Sequence, residues 1–225
     1  MSTQFEDEEG DEIIRNYFKQ KISKPTKRSN GKFWVSDLGK CKRYLYYSNN
    51  IQKSKSTIES MKSFEWGNRV EDVWEEALIE KYNERLVRND LEVKIFEDDY
   101  RIMGYTDPVV MNPEGSIDTI WEVKGVTNLW ARRAHASKSA KAQLHGYMKG
   151  LDQSSGKIIY IHPTYFYTKT YEIEFDEDLW QKLNRRIAET YDLIKDDVLP
   201  KPEKKRAPKC KWCDFKDICE AEWFE

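Results

Sequence analysis

Ile117-Asp118-Thr119-Ile120-Trp121-Glu122-Val123-Lys124 follows the turn residues Asn112, Pro113, Glu114 and Gly115 and reads as a strand. Strand residues alternate faces, so Glu122 and Lys124 project to the same side. Asp107 lies fifteen positions before Glu122, in Gly104-Tyr105-Thr106-Asp107-Pro108. The stretch Tyr100–Val110 around it also predicts a strand. Pro108 cannot donate to a sheet ladder, so that strand is expected to be at an edge or bulged. Bulges re-aim side chains. A lysine and two acids on neighbouring strands can hold a hard divalent cation and position an attacking water. That is the chemistry of metal-dependent phosphodiester cleavage. A bare Glu-x-Lys is also what an exposed ion pair at a strand edge looks like.

The surrounding pattern supplies a scaffold. Glu65–Tyr82 predicts a helix, with Trp66, Val70, Val73, Trp74, Ala77 and Leu78 on one stripe. Glu71 precedes Leu78 by about two turns, so its carboxylate is expected to face inward. Gly67, one turn before it, allows a ligand or another segment to come close. Leu91–Phe96 reads as a strand that turns at Glu97-Asp98-Asp99. Ala134–Lys149 predicts a helix stopping at Gly150. Gln143 and Tyr147 share a face of it, where they suit contact with DNA phosphate or support of Lys124. Tyr147 suits core packing equally. Lys157–His162 and Phe166–Phe175 read as strands, and Asp176 caps a helix through about Ile194. This order predicts an α/β fold with a mixed central sheet flanked by helices.

At 225 residues the chain makes one large domain, or one domain with an appendage. Its formal net charge of −2 does not nominate a nucleic-acid partner, but the distribution of charge does. Glu6–Glu12 is acidic. Lys201–Lys211 is basic, and Arg132, Arg133, Lys138 and Lys141 form a second basic stretch. Each run alone reads as solvated surface. Flanking the acids and Lys124, the two basic runs suit a phosphate track. The first ten or so residues are expected to be mobile. No stretch has the length of a membrane span and the N-terminus lacks a signal pattern, so a cytoplasmic protein without disulfides is expected.

Cys41 stands alone, and Cys210, Cys213 and Cys219 follow a Pro-punctuated linker as Cys-x2-Cys-x5-Cys. Four thiolates suit zinc or an iron–sulfur cluster. The one-plus-three split favours the cluster. Either group would staple the tail to the segment before the first long helix, closing a long loop. His135, His145 and His162 have no partner at ligand spacing.

These residues together resemble the RecB-like nucleases of the PD-(D/E)xK superfamily, and most closely the iron–sulfur CRISPR-associated exonucleases of the Cas-four type. The resemblance covers roughly Leu38 to Cys219. It is carried by Leu38-Gly39-Lys40-Cys41-Lys42-Arg43, Gly67-x3-Glu71, Gly104-Tyr105-Thr106-Asp107, Glu122-Val123-Lys124, Gln143-x3-Tyr147 and the cysteine tail. It implies a restriction-endonuclease-like core at 33–199. A mobile acidic N-terminal segment with a short helix precedes it at 1–32. A basic linker and iron–sulfur tail, completed by Cys41, follow at 200–225. It implies a Mg2+- or Mn2+-dependent DNA exonuclease acting on single-stranded ends, commonly 5′ to 3′, in CRISPR spacer acquisition or in viral or plasmid DNA processing. A CRISPR integrase complex is an implied partner. By the same resemblance, Asp107, Glu122 and the Val123 carbonyl contact the metal. Lys124 is the catalytic lysine, Gln143 and Tyr147 form the Q-x3-Y motif, and Cys41, Cys210, Cys213 and Cys219 hold a 4Fe-4S cluster. Glu71 stands where many members of this branch have histidine and other RecB-like nucleases have glutamate, so it is a candidate metal ligand. A non-catalytic DNA-binding or assembly module, and the same nuclease with structural zinc, are the competing readings.

Overall fold

The computed structural model describes residues 8–21, 31–51, 58–129, 135–203, 210 and 213–221. The N-terminal mobility expected above, Arg132 and Arg133, and most of the basic linker lie outside these residues. The fold is α/β, with mixed sheets flanked by helices. Helix α1 (Glu8–Lys21) leads to strand β1 (Lys32–Trp34), a 3-10 turn (Val35–Gly39), α2 (Lys42–Asn50) and the long α3 (Ile58–Tyr82). Strands β2 (Val87–Arg88), β3 (Glu92–Phe96), β4 (Arg101–Tyr105), β5 (Val109–Met111) and β6 (Ile117–Gly125) follow. Then come α4 (Lys138–Gly150), β7 (Ser155–Ile161), β8 (Thr168–Glu174), α5 (Glu177–Lys195) and α6 (Lys216–Ala221).

The expected strand Tyr100–Val110 is two strands in two sheets. β4 sits between β1 and β3 in a three-stranded sheet, whereas β5 joins the five-stranded sheet ordered β2-β5-β6-β7-β8. The break falls at Thr106-Asp107-Pro108. Proline lacks the N–H that a ladder needs, so the chain leaves one sheet and enters the other here. β5 then pairs antiparallel with β6, with an irregular register between Val110 and Met111. Asp107 thus stands in a connection between sheets, not on a ladder. β6 and β7 are parallel, joined through α4 as a β-α-β crossover, with Glu122 opposite Ile158 and Lys124 opposite Tyr160.

Parallel strands are buried on both faces, and β6 obeys this at Ile120, Trp121, Glu122 and Val123. One face joins the larger core, where Ile120, Ile158 and Tyr160 share a cluster with Leu144, Tyr147 and Met148 of α4. On the other face Trp121, Val123, Ile159 and Ile161 share a cluster with Val70 and Leu78 of α3. Of the α3 stripe expected from sequence, Val70, Trp74 and Leu78 make this contact. Trp66 and Val73 do not, being 57% and 40% exposed. A helix lying on a sheet reaches it along a narrow i, i+4, i+8 row, so the stripe read from sequence was too wide. Trp74 packs edge-on against Trp121, with ring centroids 4.9 Å apart.

Helix α4 begins at Lys138, not Ala134, because the Ser137 side chain accepts the Ala140 N–H at 3.2 Å and caps it there. Asp176 caps α5 as expected, accepting the Leu179 N–H at 3.0 Å. Gly146 lets α4 press onto the 3-10 turn. A Cβ there would come within 2.6 Å of Leu38 Cδ1 and 2.7 Å of Val35 Cγ1. That close approach presents the next residue, Tyr147, to the ends of β4 and β6. His145, expected to be a poor ligand, is a buried joint between α4 and α5. Its Nδ1 lies 2.7 Å from the Lys141 carbonyl, and its Nε2 accepts the Asp176 N–H at 3.2 Å. Burial lowers its pKa and keeps it neutral.

Candidate active site

β6 delivers two chemically opposed side chains to one face. Glu122 is wholly buried, while the Lys124 side chain remains 35% exposed; Lys124 Nζ sits 2.5 Å from Glu122 Oε1. The second oxygen, Oε2, has no hydrogen-bond partner among the described residues. A buried carboxylate so poorly satisfied is costly and needs a reason. The exposed strand-edge ion pair that Glu-x-Lys also suggests is therefore not what forms.

Asp107 reaches the same place from the inter-sheet connection. Its Oδ2 accepts the backbone N–H of Val123 at 2.7 Å, so Asp107 flanks the segment between Glu122 and Lys124. Glu71 comes from α3 and is electrostatically coupled to Asp107 and Lys124. Three carboxylates therefore converge on one ammonium.

The titration shifts follow from burial first and from that imbalance second. Burial pushes the Glu122 carboxyl up to about 8; Lys124 pulls it down, and Asp107 and Glu71 add to the rise. Burial and then the charge of Asp107 push Glu71 up to about 7. Burial raises Asp107, against the pull of Lys124 and the Val123 N–H. Burial works against the charge of Lys124, but Glu122, Asp107 and Glu71 outweigh it and hold the ammonium above the ordinary lysine value. All three acids bind protons more tightly than usual chiefly because burial strips water from their charged forms, and Lys124 offsets this only in part. A clustered set of raised carboxylates is a functional-site signature.

Gln143 and Tyr147 meet as their spacing predicted: the Gln143 amide donates to the Tyr147 hydroxyl at 2.9 Å. Tyr147 is buried, and burial followed by the charges of Glu122 and Asp107 raises its pKa. Core packing and closeness to the acids thus hold together for this residue.

Among the described residues, no three His, Cys, Asp or Glu side chains stand in ready ligand geometry. The acid cluster nevertheless fits a cation, because Glu122 Oε2 lacks a partner and the carboxylates outnumber the ammonium. The four cysteines are free thiols, and all four line one cavity with Arg43, Tyr44, Tyr47 and Phe215. Cys41 caps α2, accepting the Tyr44 N–H at 3.4 Å. Arg43, given no role of its own from sequence, ties the tail down. Its guanidinium donates to the Pro200 carbonyl at 2.8 Å and the Cys219 carbonyl at 3.3 Å. Phe215, equally unread in the sequence, lies against Tyr44 and Tyr47, with ring centroids 5.4 and 5.5 Å apart. The signal for Phe215 was its place between Cys213 and Cys219 opposite an aromatic run, but only the docked tail shows which rings it meets.

Residues 12–220 match the model of the PD-(D/E)XK nuclease superfamily. No curated protein matches the chain in sequence. Among solved structures, SSO0001 is similar at TM-score 0.67 and 21% identity, over 96% of this chain and 98% of that one. An alkaline exonuclease (LHK-Exo) from Laribacter hongkongensis is similar at TM-score 0.53 and 13% identity, over 81% and 93% of the two chains. A phage-related exonuclease from Haemophilus somnus is similar at TM-score 0.50 and 17% identity, over 75% and 97%. At these identities the likeness is one of fold.

Proposed function

The chain belongs to the PD-(D/E)XK nuclease superfamily, and from that premise we propose that it is a divalent-metal-dependent exodeoxyribonuclease working at Glu71, Asp107, Glu122 and Lys124. The observation that carries the reading is Glu122: wholly buried, one oxygen without a partner among the described residues, among acids that one lysine does not neutralise. A buried acid so poorly compensated costs stability, which weighs against a purely structural role. Glu122, Asp107, Glu71 and the Val123 carbonyl would hold Mg2+ or Mn2+, which supplies charge neutralisation and an acidified water when bound. Lys124, partly exposed, is the group able to donate to a phosphate oxygen and stabilise the negative charge that builds there. Tyr147, held by Gln143, closes the α4 side of the cluster against bulk water. Two of the similar folds are named exonucleases, which supports cutting at DNA ends as the reading for this chain.

The tail extends the reading. Cys41, Cys210, Cys213 and Cys219 would hold a 4Fe-4S cluster, supported by their shared cavity; structural zinc is the alternative that the same four thiols fit. Single-stranded ends, and a place in CRISPR spacer acquisition beside an integrase or in viral or plasmid DNA processing, rest on the motif resemblance. The direct test is incubation of end-labelled single- and double-stranded DNA with the protein in Mn2+ or in EDTA. Shortening from the ends in Mn2+ alone is expected. Intact DNA with protein that is folded and metal-loaded would sink the enzyme.

A second expected outcome concerns pH. Glu122 and Glu71 titrate near 8 and 7 in the cation-free fold, against about 4.5 in the unfolded chain. The folded state therefore binds more protons between those values. The cation-free protein is most stable below about pH 4.5 as far as these groups are concerned, and loses stability as pH rises towards 8. A bound cation displaces those protons. Mn2+ at roughly 100 times its Kd stabilises by about 2.7 kcal/mol, or roughly 5–10 °C in Tm for a domain of this size. That gain should be large at pH 8.5 and small at pH 6 in thermal melts. A gain independent of pH would mean the cation binds elsewhere.

A further inference from the structure

A cleft of about 670 Å³ opens at the end of β6. That volume is in the range of ligand-sized sites, about 300–1,000 Å³. Ser63, Trp66 and Gly67 of α3, Gly125–Asn128 after β6, and Pro163 and Thr164 after β7 line it. Gly125 immediately follows Lys124, and Gly67 lies one helical turn before Glu71. A Cβ on Gly67 would meet nothing within 4 Å, so the cleft is open at that point. The lining of the cleft thus adjoins Lys124 and Glu71 along the chain, yet none of its residues has a part in the chemistry.

Pro163 and Thr164 begin the turn between β7 and β8. In that turn Tyr165, Phe166 and Tyr167 are 66%, 51% and 68% exposed, and Trp66 of the cleft lining is 57% exposed. Turns are usually built from Gly, Asn, Asp and Pro. Three consecutive exposed aromatic residues in one, next to a cleft lined by a further exposed ring, form the kind of apolar surface that marks a binding site.

The turn is also held rigidly. His162 Nδ1 accepts the N–H groups of Thr164 and Tyr165 at 3.2 Å each. The Phe166 N–H donates to the His162 carbonyl at 2.8 Å, and the His162 N–H donates to the Tyr167 carbonyl at 2.9 Å. Phe166 has φ of 54°, in the left-handed region that bulky residues avoid. The Tyr165 and Tyr167 rings lie nearly parallel, centroids 6.0 Å apart and planes at 29°. The His162 ring lies against Tyr165 at 4.8 Å and 32°. These rings form a pre-ordered stack that ends in solvent.

We infer that Tyr165 and Tyr167, with Trp66 of the cleft lining, are the residues by which this chain selects unpaired DNA, stacking on the bases of a single strand that lies along the cleft. This rests on the nuclease reading above. An unpaired base presents a flat apolar face of any sequence, and aromatic side chains grip such faces. A duplex hides those faces in its own stack. Ser63, Thr127 and Thr164 supply hydroxyls for the sugar–phosphate chain, a lining that a purely apolar partner would not need. Gly125 at one end of the cleft directly follows Lys124, which places such a strand next to the acids in this reading.

Binding in EDTA, where no cleavage occurs, tests this. The probes are a fluorescent oligo-dT strand of about 16 nucleotides and a blunt duplex of equal length. Tyr165→Ser/Tyr167→Ser is compared with Tyr165→Phe/Tyr167→Phe and the unaltered protein, with thermal melts confirming that each folds. The serine pair should bind the single strand roughly 5- to 150-fold more weakly. The phenylalanine pair, which keeps both rings, should bind like the unaltered protein, and duplex affinity should hardly move in either. Unchanged single-strand affinity in the serine pair overturns the inference, as does an equal loss for the duplex. Cleavage is read separately. Unaltered protein that grips single strands through these rings but never cuts them sinks the nuclease reading alone. Protein that cuts, while its serine pair binds normally, sinks this inference alone.

Discussion

Glu122→Gln and Lys124→Ala are each expected to lower DNA cleavage by on the order of 10²- to 10³-fold, the usual cost of removing one group that stabilises developing charge. The two variants fail for different physical reasons. Gln fits the fully buried volume of Glu122 but brings no charge and cannot balance a cation. Ala at 124 removes the ammonium 2.5 Å from Glu122 Oε1 and leaves three acids with no lysine among them. Their stabilities should therefore part company. In cation-free protein at pH 8, Glu122→Gln should melt no lower than the unaltered chain, because it deletes a buried acid that is already poorly satisfied. Lys124→Ala should melt lower above pH 7, where Glu71 and Glu122 begin to ionise without the ammonium that offsets their charge. Cleavage rates on end-labelled DNA, beside melts at pH 6 and 8, read both effects. Cleavage within a few-fold of normal in Glu122→Gln would remove these residues from the chemistry.

Phe215→Ala carries the largest expected cost in stability, about 3–5 kcal/mol for truncating a buried phenylalanine. Phe215 is 1% exposed and lies against both Tyr44 and Tyr47. It belongs to a short tail that carries the six-residue α6, too short to be helical alone. The loss should fall on the tail first. Amide exchange in α6 should accelerate before that of β6 and β7, and a visible chromophore at the thiols, where present, should bleach faster in air. Arg43 would still hold the Cys219 carbonyl, so partial protection is expected to remain. Equal exchange in α6 with and without the ring would show that Phe215 does not dock the tail.

Much of this was legible in the residues because it is local. The caps at Asp176, the shared face of Gln143 and Tyr147, and the shared side of Glu122 and Lys124 depend on periods of 3.6 and 2 and on nearest neighbours. The order of motifs pointed to the superfamily, and the match over residues 12–220 agrees. The split of Tyr100–Val110 was half visible. Pro108 announced an interruption, but a bulge and a change of sheet look alike when only one strand is in view. The width of the α3 stripe misled because hydrophobic spacing says which residues can face a sheet and not how wide the sheet's contact is; Trp66 and Val73 remain outside it.

Chemical type and rough placement of the acids, the lysine and the thiols thus belong to the chain as written, since each follows from residue identity and local geometry. The burial of Glu122, the reach of Asp107 to the Val123 N–H and the approach of Glu71 from another helix came only with the assembled sheets. So did the gathering of Cys41 with a tail about 170 residues away. Those features depend on which distant surfaces exclude water together. Desolvation and charge coupling arise from neighbours in space, and no spacing along the chain encodes them.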